Sequence, residues 1–251
     1  MSSISEHSCS HCAMSEICLP MGVDRQDIKK LEHLVKSDHI QHSGDVVLRQ
    51  GDAFQKVYAV KSGMYKSINV DTEGHEHIIG FHLPGELIGL DAIYPKAYRN
   101  TTVAVTTSVL CELEYDQLTA LSTEIPALQQ QFLRLLSKGI NDSNAFHKEQ
   151  TAEQKLTGFV YNLAKRYEAR GYSASELVLV MTRQDIASHL GMAAETISRL
   201  LKRLQSKQVL AINSREITIL DEPALLALAG CEAAPNTNQT LHRLNRSSLN
   251  G

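Results

Sequence analysis

The chain has 251 residues, more than one core of ~100–200 residues usually holds, so two domains are expected. At 43% hydrophobic and 21% charged, with a net charge of −3, it reads as a soluble globular protein with no overall basic footprint. No run approaches ~18 uninterrupted apolar residues, which excludes a spanning helix and a membrane partner; Met1–His7 lacks a basic-then-apolar leader, so a cytoplasmic location is expected.

Residues 1–20 are polar and carry Cys9, Cys12 and Cys18 within ten positions. A reducing compartment argues against disulfides there. Residues 24–36 show helical spacing through Ile28, Leu31, Leu34 and Val35, with Asp24 as N-cap. From Gly44 to Gly89 short strand-like runs follow: Val46–Leu48, Val57–Val60, Tyr65–Val70 and His77–Leu83. Seven of the fourteen glycines punctuate them, as in a small sandwich or barrel. Val103–Leu113 reads as one further strand, rich in Thr and Val.

Near Pro126, which suits a first helical turn, the period becomes helical. Leu128, Phe132 and Leu135 form one stripe, and Leu133, Leu136 and Ile140 a second beside it. Two stripes imply two packing partners, the β domain and a second copy of the chain. The second stripe continues into Ser143 and His147, a polar seam suited to a weak homodimer. Another helix runs from Ala152 to a stop at Arg170-Gly171.

Residues 182–204 predict two helices joined at Gly191. Thr182 caps the first, and small Ala187 allows the steep crossing of a helix-turn-helix. Ile197, Leu200, Leu201 and Leu204 face inward, while Glu195, Ser198 and Arg199 share the outer face. Arginine grips guanine O6 and N7, a carboxylate accepts from cytosine, and serine serves several bases, so this trio suits a major groove. Six Lys/Arg against two acids between residues 182 and 215 give a local +4, concentrating phosphate attraction there. A hairpin-like pair, Val209–Ile212 and Glu216–Leu220, turning at Asn213–Arg215, makes a natural wing. The tail beyond Gly230 reads as disordered.

Cys9-x2-Cys12-x5-Cys18 supplies three thiols, and Cys111 is the candidate fourth; Cys231 lies beyond the winged region. Four thiolates suit zinc or an iron–sulfur cluster, and His7 or His11 could serve as a zinc ligand. Spacing alone does not separate these. A redox enzyme built on such a centre finds no support in a nucleotide-binding glycine fingerprint or a catalytic constellation. A haem sensor would use His75 or His77, which as lone histidines in a turn read more readily as solvated surface.

Over residues 9–230 the chain resembles the Crp/Fnr superfamily, and within it the oxygen-sensing fumarate–nitrate reduction regulators. The resemblance is carried by the four cysteines, Ile79–Gly89 with Asp91-Ala-Ile93, Phe159-Val-Tyr-Asn-Leu163 and Glu195-Thr-Ile-Ser-Arg-Leu-Leu201. It implies an α+β protein: a cluster arm (1–20), an antiparallel β-roll like a cyclic-nucleotide-binding domain (21–122), a dimerisation helix (123–149), a winged helix-turn-helix (150–230) and a tail (231–251). It further implies a [4Fe–4S] cluster on Cys9, Cys12, Cys18 and Cys111, and base contacts to a palindromic TTGAT-type operator by Glu195, Ser198 and Arg199. Thr182, Arg183 and Gln184, with Lys202 and Arg203, would hold phosphates, and Thr72, Glu73, Gly74 and His75 would touch RNA polymerase. The chain departs from the cyclic-nucleotide binders: Arg99-Asn100 replaces their Arg-Ser pair, so no cyclic nucleotide is expected and Glu86 is read as structural. Ala194 lacks the arginine of the catabolite-activator branch. Asn141–Gln150 is shorter and more polar than in relatives, which bears on dimer closure. The resulting expectation is a regulator whose cluster, assembled under anoxia, promotes dimerisation and operator binding. Its rival is an oxygen-insensitive, zinc-stapled or ligand-sensing regulator of the same build.

Overall fold

A computed structural model describes residues 9–36, 39–145 and 150–230. The expectations for His7, His147, Cys231 and the tail fall outside the described residues, as does the side chain of Ser143.

The cysteine segment winds through successive turns from a 3-10 turn at Cys9–His11 to Gly22 and enters α1 (Arg25–Leu34). Asp24 caps α1 by accepting from the Gln26 and Asp27 N–H groups, as its position predicts. Eight strands follow: β1 (Ile40–Gln41), β2 (Val46–Leu48), β3 (Lys56–Ser62), β4 (Tyr65–Val70), β5 (Glu76–His82), β6 (Leu87–Ile88), β7 (Thr101–Ala104) and β8 (Ser108–Glu114). They form two antiparallel sheets, ordered β1-β8-β3-β6 and β2-β7-β4-β5. Side chains from both sheets, including Leu48, Tyr58, Tyr65 and Leu110, fill the space between them together with Tyr98 from the loop before β7.

The single strand expected over Val103–Leu113 is two strands in different sheets. β7 ends at Ala104, the chain crosses at Val105–Thr107, and Ser108 restarts pairing beside β3. Side chains make this corner: Ser108 Oγ donates to the Thr106 carbonyl (2.7 Å), and the Met64 N–H donates to Ser108 Oγ (3.1 Å). Gly63, at φ +79°, passes so close that a Cβ would lie 2.0 Å from Ser108 Oγ. A continuous Thr/Val run hides such a corner because it carries no Gly or Pro.

α2 (Tyr115–Glu124), which the sequence pattern did not reveal, leads into α3 (Pro126–Ala145). Leu128 and Phe132 are buried and Leu135 is half-buried, so the first predicted stripe packs against α1, α2 and the cysteine segment. α4 (Ala152–Glu168) starts with a capping box between Thr151 and Gln154 and stops before Gly171, at φ +76°. Then come β9 (Glu176–Val178), α5 (Arg183–Leu190), α6 (Ala194–Ser206), β10 (Leu210–Asn213), β11 (Glu216–Ile219) and α7 (Glu222–Leu228). β9 and α7 were not anticipated; β9 adds a third strand to the wing hairpin, and α7 packs on α4.

This C-terminal unit is docked on the β-roll. Phe81 of β5 meets Phe159 of α4 and His189 of α5 edge-on, at 6.1 and 5.3 Å between ring centres. Glu86 receives Arg166 (Nη2 2.6 Å, Nε 2.9 Å) and Arg170 (Nη2 2.8 Å), and the same arginines donate to the Phe81 and Pro84 carbonyls. Lys66 reaches Asp185 at 2.6 Å. β5 is an edge strand, and its free groups at Ile78 are satisfied by α5: the N–H donates to Ser188 Oγ (3.1 Å), and the carbonyl accepts from His189 Nδ1 (3.1 Å).

Candidate metal centre and nucleic-acid interface

The four predicted thiols line one small, largely apolar cavity. Cys9, Cys12 and Cys18 come from the N-terminal turns and Cys111 from β8, where it faces Ala59 across the ladder. The other walls include Leu19, Leu31, Val35 and Leu113, and Lys61 adds a charged side chain to them. Burial pushes the Cys9 thiol up to about 12, helped by Cys111 and Glu32, while Lys61 opposes the shift. Burial likewise pushes Cys18 to about 12, with its Leu19 backbone hydrogen bond opposing and Cys111 and Cys9 adding to the rise. These thiols are neutral at pH 7 without a bound cation, so metal uptake there releases protons. Among the described residues no three His, Cys, Asp or Glu groups converge on a point suited to one metal ion. The donor chemistry, four soft sulfurs in an apolar pocket, fits an iron–sulfur cluster.

The turns carrying these cysteines are tied to three elements. The Ser10 N–H and Oγ both donate to Glu32 of α1 (2.9 Å each). Ile17 packs on Gly85, where φ is +86° and a Cβ would approach the Ile17 side chain to 2.8 Å. Buried Gln131 of α3 donates to the Cys18 carbonyl (3.0 Å). Gln131 and Lys61 escaped the sequence reading, because a polar residue on a helix or strand gives no sign of the loop it will meet.

The expected dimer face is divided. Leu133 and Ile140 stand exposed at 58% and 63%, while Leu136 is half-buried against its own chain.

At the other end, Thr182 and Asp185 form a capping box. Thr182 Oγ1 accepts the Asp185 N–H, and Asp185 Oδ2 accepts from the Thr182 N–H, both at 3.0 Å. Gly191, at φ +65°, turns the chain into α6, and buried Ala187 lies in the crossing. Ile197, Leu201 and Leu204 are buried and Leu200 half-buried, as the pattern predicted. Glu195, Ser198, Arg199 and Lys202 are exposed. Ser198 Oγ donates to the Ala194 carbonyl, and Arg199 to Thr196 Oγ1. Thr182 and Gln184 are exposed; Arg183 is half-buried and reaches the wing at the Ser214 carbonyl (3.4 Å). Arg203 turns toward Glu153 of α4 (3.7 Å), a carboxylate it shares with Lys207.

Over 225 residues the chain is 38% identical to the transcriptional activator protein FnrA of Stutzerimonas stutzeri, covering 88% of this chain and 92% of that one. It is also 38% identical, over the same length, to the fumarate and nitrate reduction regulatory protein of Yersinia pestis, covering 90% of it. The chain belongs to the fumarate and nitrate reduction regulators of the Crp/Fnr superfamily. The model of the Crp-like helix-turn-helix domain matches residues 154–228 of this regulator, and that of the cyclic nucleotide-binding domain matches residues 42–124. The solved structure of FixK2 from Bradyrhizobium japonicum shares the fold, with a TM-score of 0.71 at 20% identity, covering 80% of this chain and 98% of that one. This protein is therefore a DNA-binding transcription regulator of the anaerobic-response family, not an enzyme. No described helix is long and apolar enough to cross a membrane.

The turn Thr72–His75 of this regulator is exposed and built on Asp71, whose carboxylate accepts from the Glu73 and His75 N–H groups (2.8 and 2.9 Å). His75 and His77, considered above as haem ligands, both lean on Asp71, at 3.2 and 3.6 Å. Glu86 takes the structural role read for it, and Arg99 is exposed.

Proposed function

We propose that this regulator is an oxygen sensor: Cys9, Cys12, Cys18 and Cys111 hold a [4Fe–4S] cluster under anoxia, and the clamped chain pairs through α3 and binds palindromic TTGAT-type sites. The supporting observation is the position of the thiol cavity, at the place where the N-terminal turns meet β8 and α3. In a tetrahedral zinc site, at ~2.3 Å per bond, the sulfurs would lie about 3.8 Å apart around one point. Four soft sulfurs lining one apolar cavity suit a cluster, which offers a separate ligand position to each.

A cluster there supplies an oxygen-labile cross-link, and the remaining work falls to the chain. Cys111 fixes one side to the β-roll, and Cys18, through its carbonyl and Gln131, fixes the other to the first turns of α3. That bond orients the exposed Leu133 and Ile140 toward a second copy, with Leu136, Ser143 and His147 completing the seam. Weak pairing suits a switch, which needs a gap of only a few kcal/mol. Once paired, two α6 helices sit about one DNA turn, ~34 Å, apart. Glu195, Ser198 and Arg199 read bases; Thr182, Arg183, Gln184 and Lys202 hold phosphates, and Arg203 joins them on release from Glu153. The exposed Thr72-Glu73-Gly74-His75 turn is the surface offered to RNA polymerase. No cyclic nucleotide is needed: Tyr58, Tyr65 and Tyr98 share the core of the roll with aliphatic side chains, and Glu86 is committed to two arginines. The five-part division of the chain given above follows these roles, and the compartment is cytoplasmic.

The test is operator binding by anaerobically isolated protein, before and after air, with iron and acid-labile sulfide assays. Four iron and four sulfide per chain, with binding lost in air, are expected. Iron-free protein with equal affinity in air would refute the proposal, and zinc in that sample would identify the zinc-stapled rival. Cys111→Ser should abolish anaerobic binding while the fold persists.

A further inference from the structure

The DNA-reading unit is held to the β-roll at two separate places, on two helices. Glu86, in the turn after β5, takes both Arg166 and Arg170 near the C-terminal end of α4. Lys66 of β4 takes Asp185 of α5, beside the two hydrogen bonds from α5 to the edge of β5 at Ile78. The Phe81–Phe159–His189 contact lies between them. One attachment would leave the unit free to pivot; two separate ones, on α4 and α5, restrain rotation as well as distance. Arg170 is only 4% exposed, so this link is shielded from solvent and salt. The base-reading residues Glu195, Ser198 and Arg199 stay exposed in this docked arrangement, so it leaves them open to DNA.

We propose that Glu86 and Lys66 are positioning residues that set which half-site separation the regulator accepts. The inference rests on the paired-half-site reading under Proposed function. Adding one base pair between half-sites moves the second by ~3.4 Å along the duplex and turns it by roughly 35° about the axis. A reading unit free to swivel on the roll can follow that rotation. One fixed at two points follows only by breaking the Glu86 and Lys66 links, so the docking converts spacing into affinity. Neither residue touches DNA in this scheme, so neither contributes to recognition of an isolated half-site.

The experiment uses the full-length, anaerobically isolated protein and duplexes carrying two inverted TTGAT half-sites, their spacing varied in single-base-pair steps, with a single-half-site duplex as control. The readout is the affinity ratio between the best spacing and its neighbours one base pair away. In Glu86→Gln and Lys66→Met this ratio falls at least ~10-fold, as expected for losing a contact that only the off-register complex must break. Affinity for the single half-site stays within ~2-fold. Lys66→Arg, which keeps the charge, restores the ratio. If Glu86→Gln does not fold, Lys66→Met, which alters a peripheral pair, carries the test alone. An unchanged ratio in folded Lys66→Met overturns the proposal. A wild-type protein with no spacing preference overturns both this proposal and the paired-half-site reading.

Discussion

Glu86→Gln also has a thermodynamic signature that can be calculated from its surroundings. Burial by itself would raise this carboxyl, but the charge and hydrogen bonds of Arg166, the charge of Arg170 and the Leu83 N–H (3.1 Å) outweigh burial and hold it at about 2, against 4.5 in the unfolded chain. At about 1.4 kcal/mol for each tenfold, the ionised form contributes about 3 kcal/mol to the folded state. The range for breaking a buried ion pair, ~3–5 kcal/mol, agrees, because the glutamine leaves two arginine charges without their counter-ion. A lowered folded-state pKa means that the stabilisation is complete above pH 4.5 and lost as pH falls toward 2. The wild-type carboxyl is then protonated and no better a partner than the amide. Urea unfolding of both metal-free proteins between about pH 7 and about pH 2.5 measures this directly. The stability difference should be about 3 kcal/mol at neutral pH and shrink steadily in acid. A difference constant across that range would mean that packing, not charge, holds Glu86, and the reasoning fails.

Lys202→Ala should lower the slope of log affinity against log salt by about 0.9 per protomer, whereas Arg203→Ala, removing a cation already facing Glu153, should lower it less. Equal changes in a salt titration would show that Arg203 leaves Glu153 freely on binding. Ala187→Leu forces three extra carbons into the α5–α6 crossing at a cost of ~1–3 kcal/mol, so operator affinity should collapse while the visible absorption expected of the proposed cluster stays unchanged. Gln131→Leu takes one of two donors from the Cys18 carbonyl, which keeps the Met21 N–H (3.2 Å), at the cost of one hydrogen bond, ~0.5–1.5 kcal/mol. Sedimentation of the variant should show weaker pairing at unchanged iron content; unaltered pairing would remove α3 from the clamp.

The parts of this molecule legible in the sequence are those whose chemistry is local. Asp24, Thr182 and Gly191 announce helix ends because the side chain or the φ angle needed there is their own property. The two faces of α6 follow from spacing alone, and the cysteines can be grouped because few residues bind soft metals. The strand break at Val105–Thr107 is decided by Gly63 and Ser108 from different strands, so no window of sequence contains it. α2 is hidden for a related reason: of its ten residues only Leu118 and Ser122 are buried, too few to give a periodic signal. Arg166 and Arg170 look like solvated positions at the end of an amphipathic helix. They become a buried triad only when the whole C-terminal unit is placed on the roll.

That placement bears on how the switch can act. The thiol cavity belongs to the core built on Leu31, Leu113 and Leu128, whereas the DNA unit shares its core with Met64, Ile78, Phe81 and Leu83 of the β4–β5 side. The described contacts between DNA unit and roll fall on β4, β5 and the turns beside them, not on the cysteine turns. A change at the cysteines therefore reaches the docking of the DNA unit at one place, the packing of Ile17 on Gly85 between Pro84 and Glu86. It also has a direct hold on α3, through Gln131 and the packing of Phe132. With the reading unit fixed to the roll, the pairing along α3 proposed above would be enough to place both α6 helices, and separation enough to undo it. Control over pairing alone would then suffice, with no hinge in the DNA unit needed. This account requires that any change enforcing pairing along α3, such as Ser137→Cys on its exposed side cross-linked to a second copy, should restore operator binding to Cys111→Ser in air. A cross-linked dimer that still fails to bind would place part of the switch within the reading unit itself.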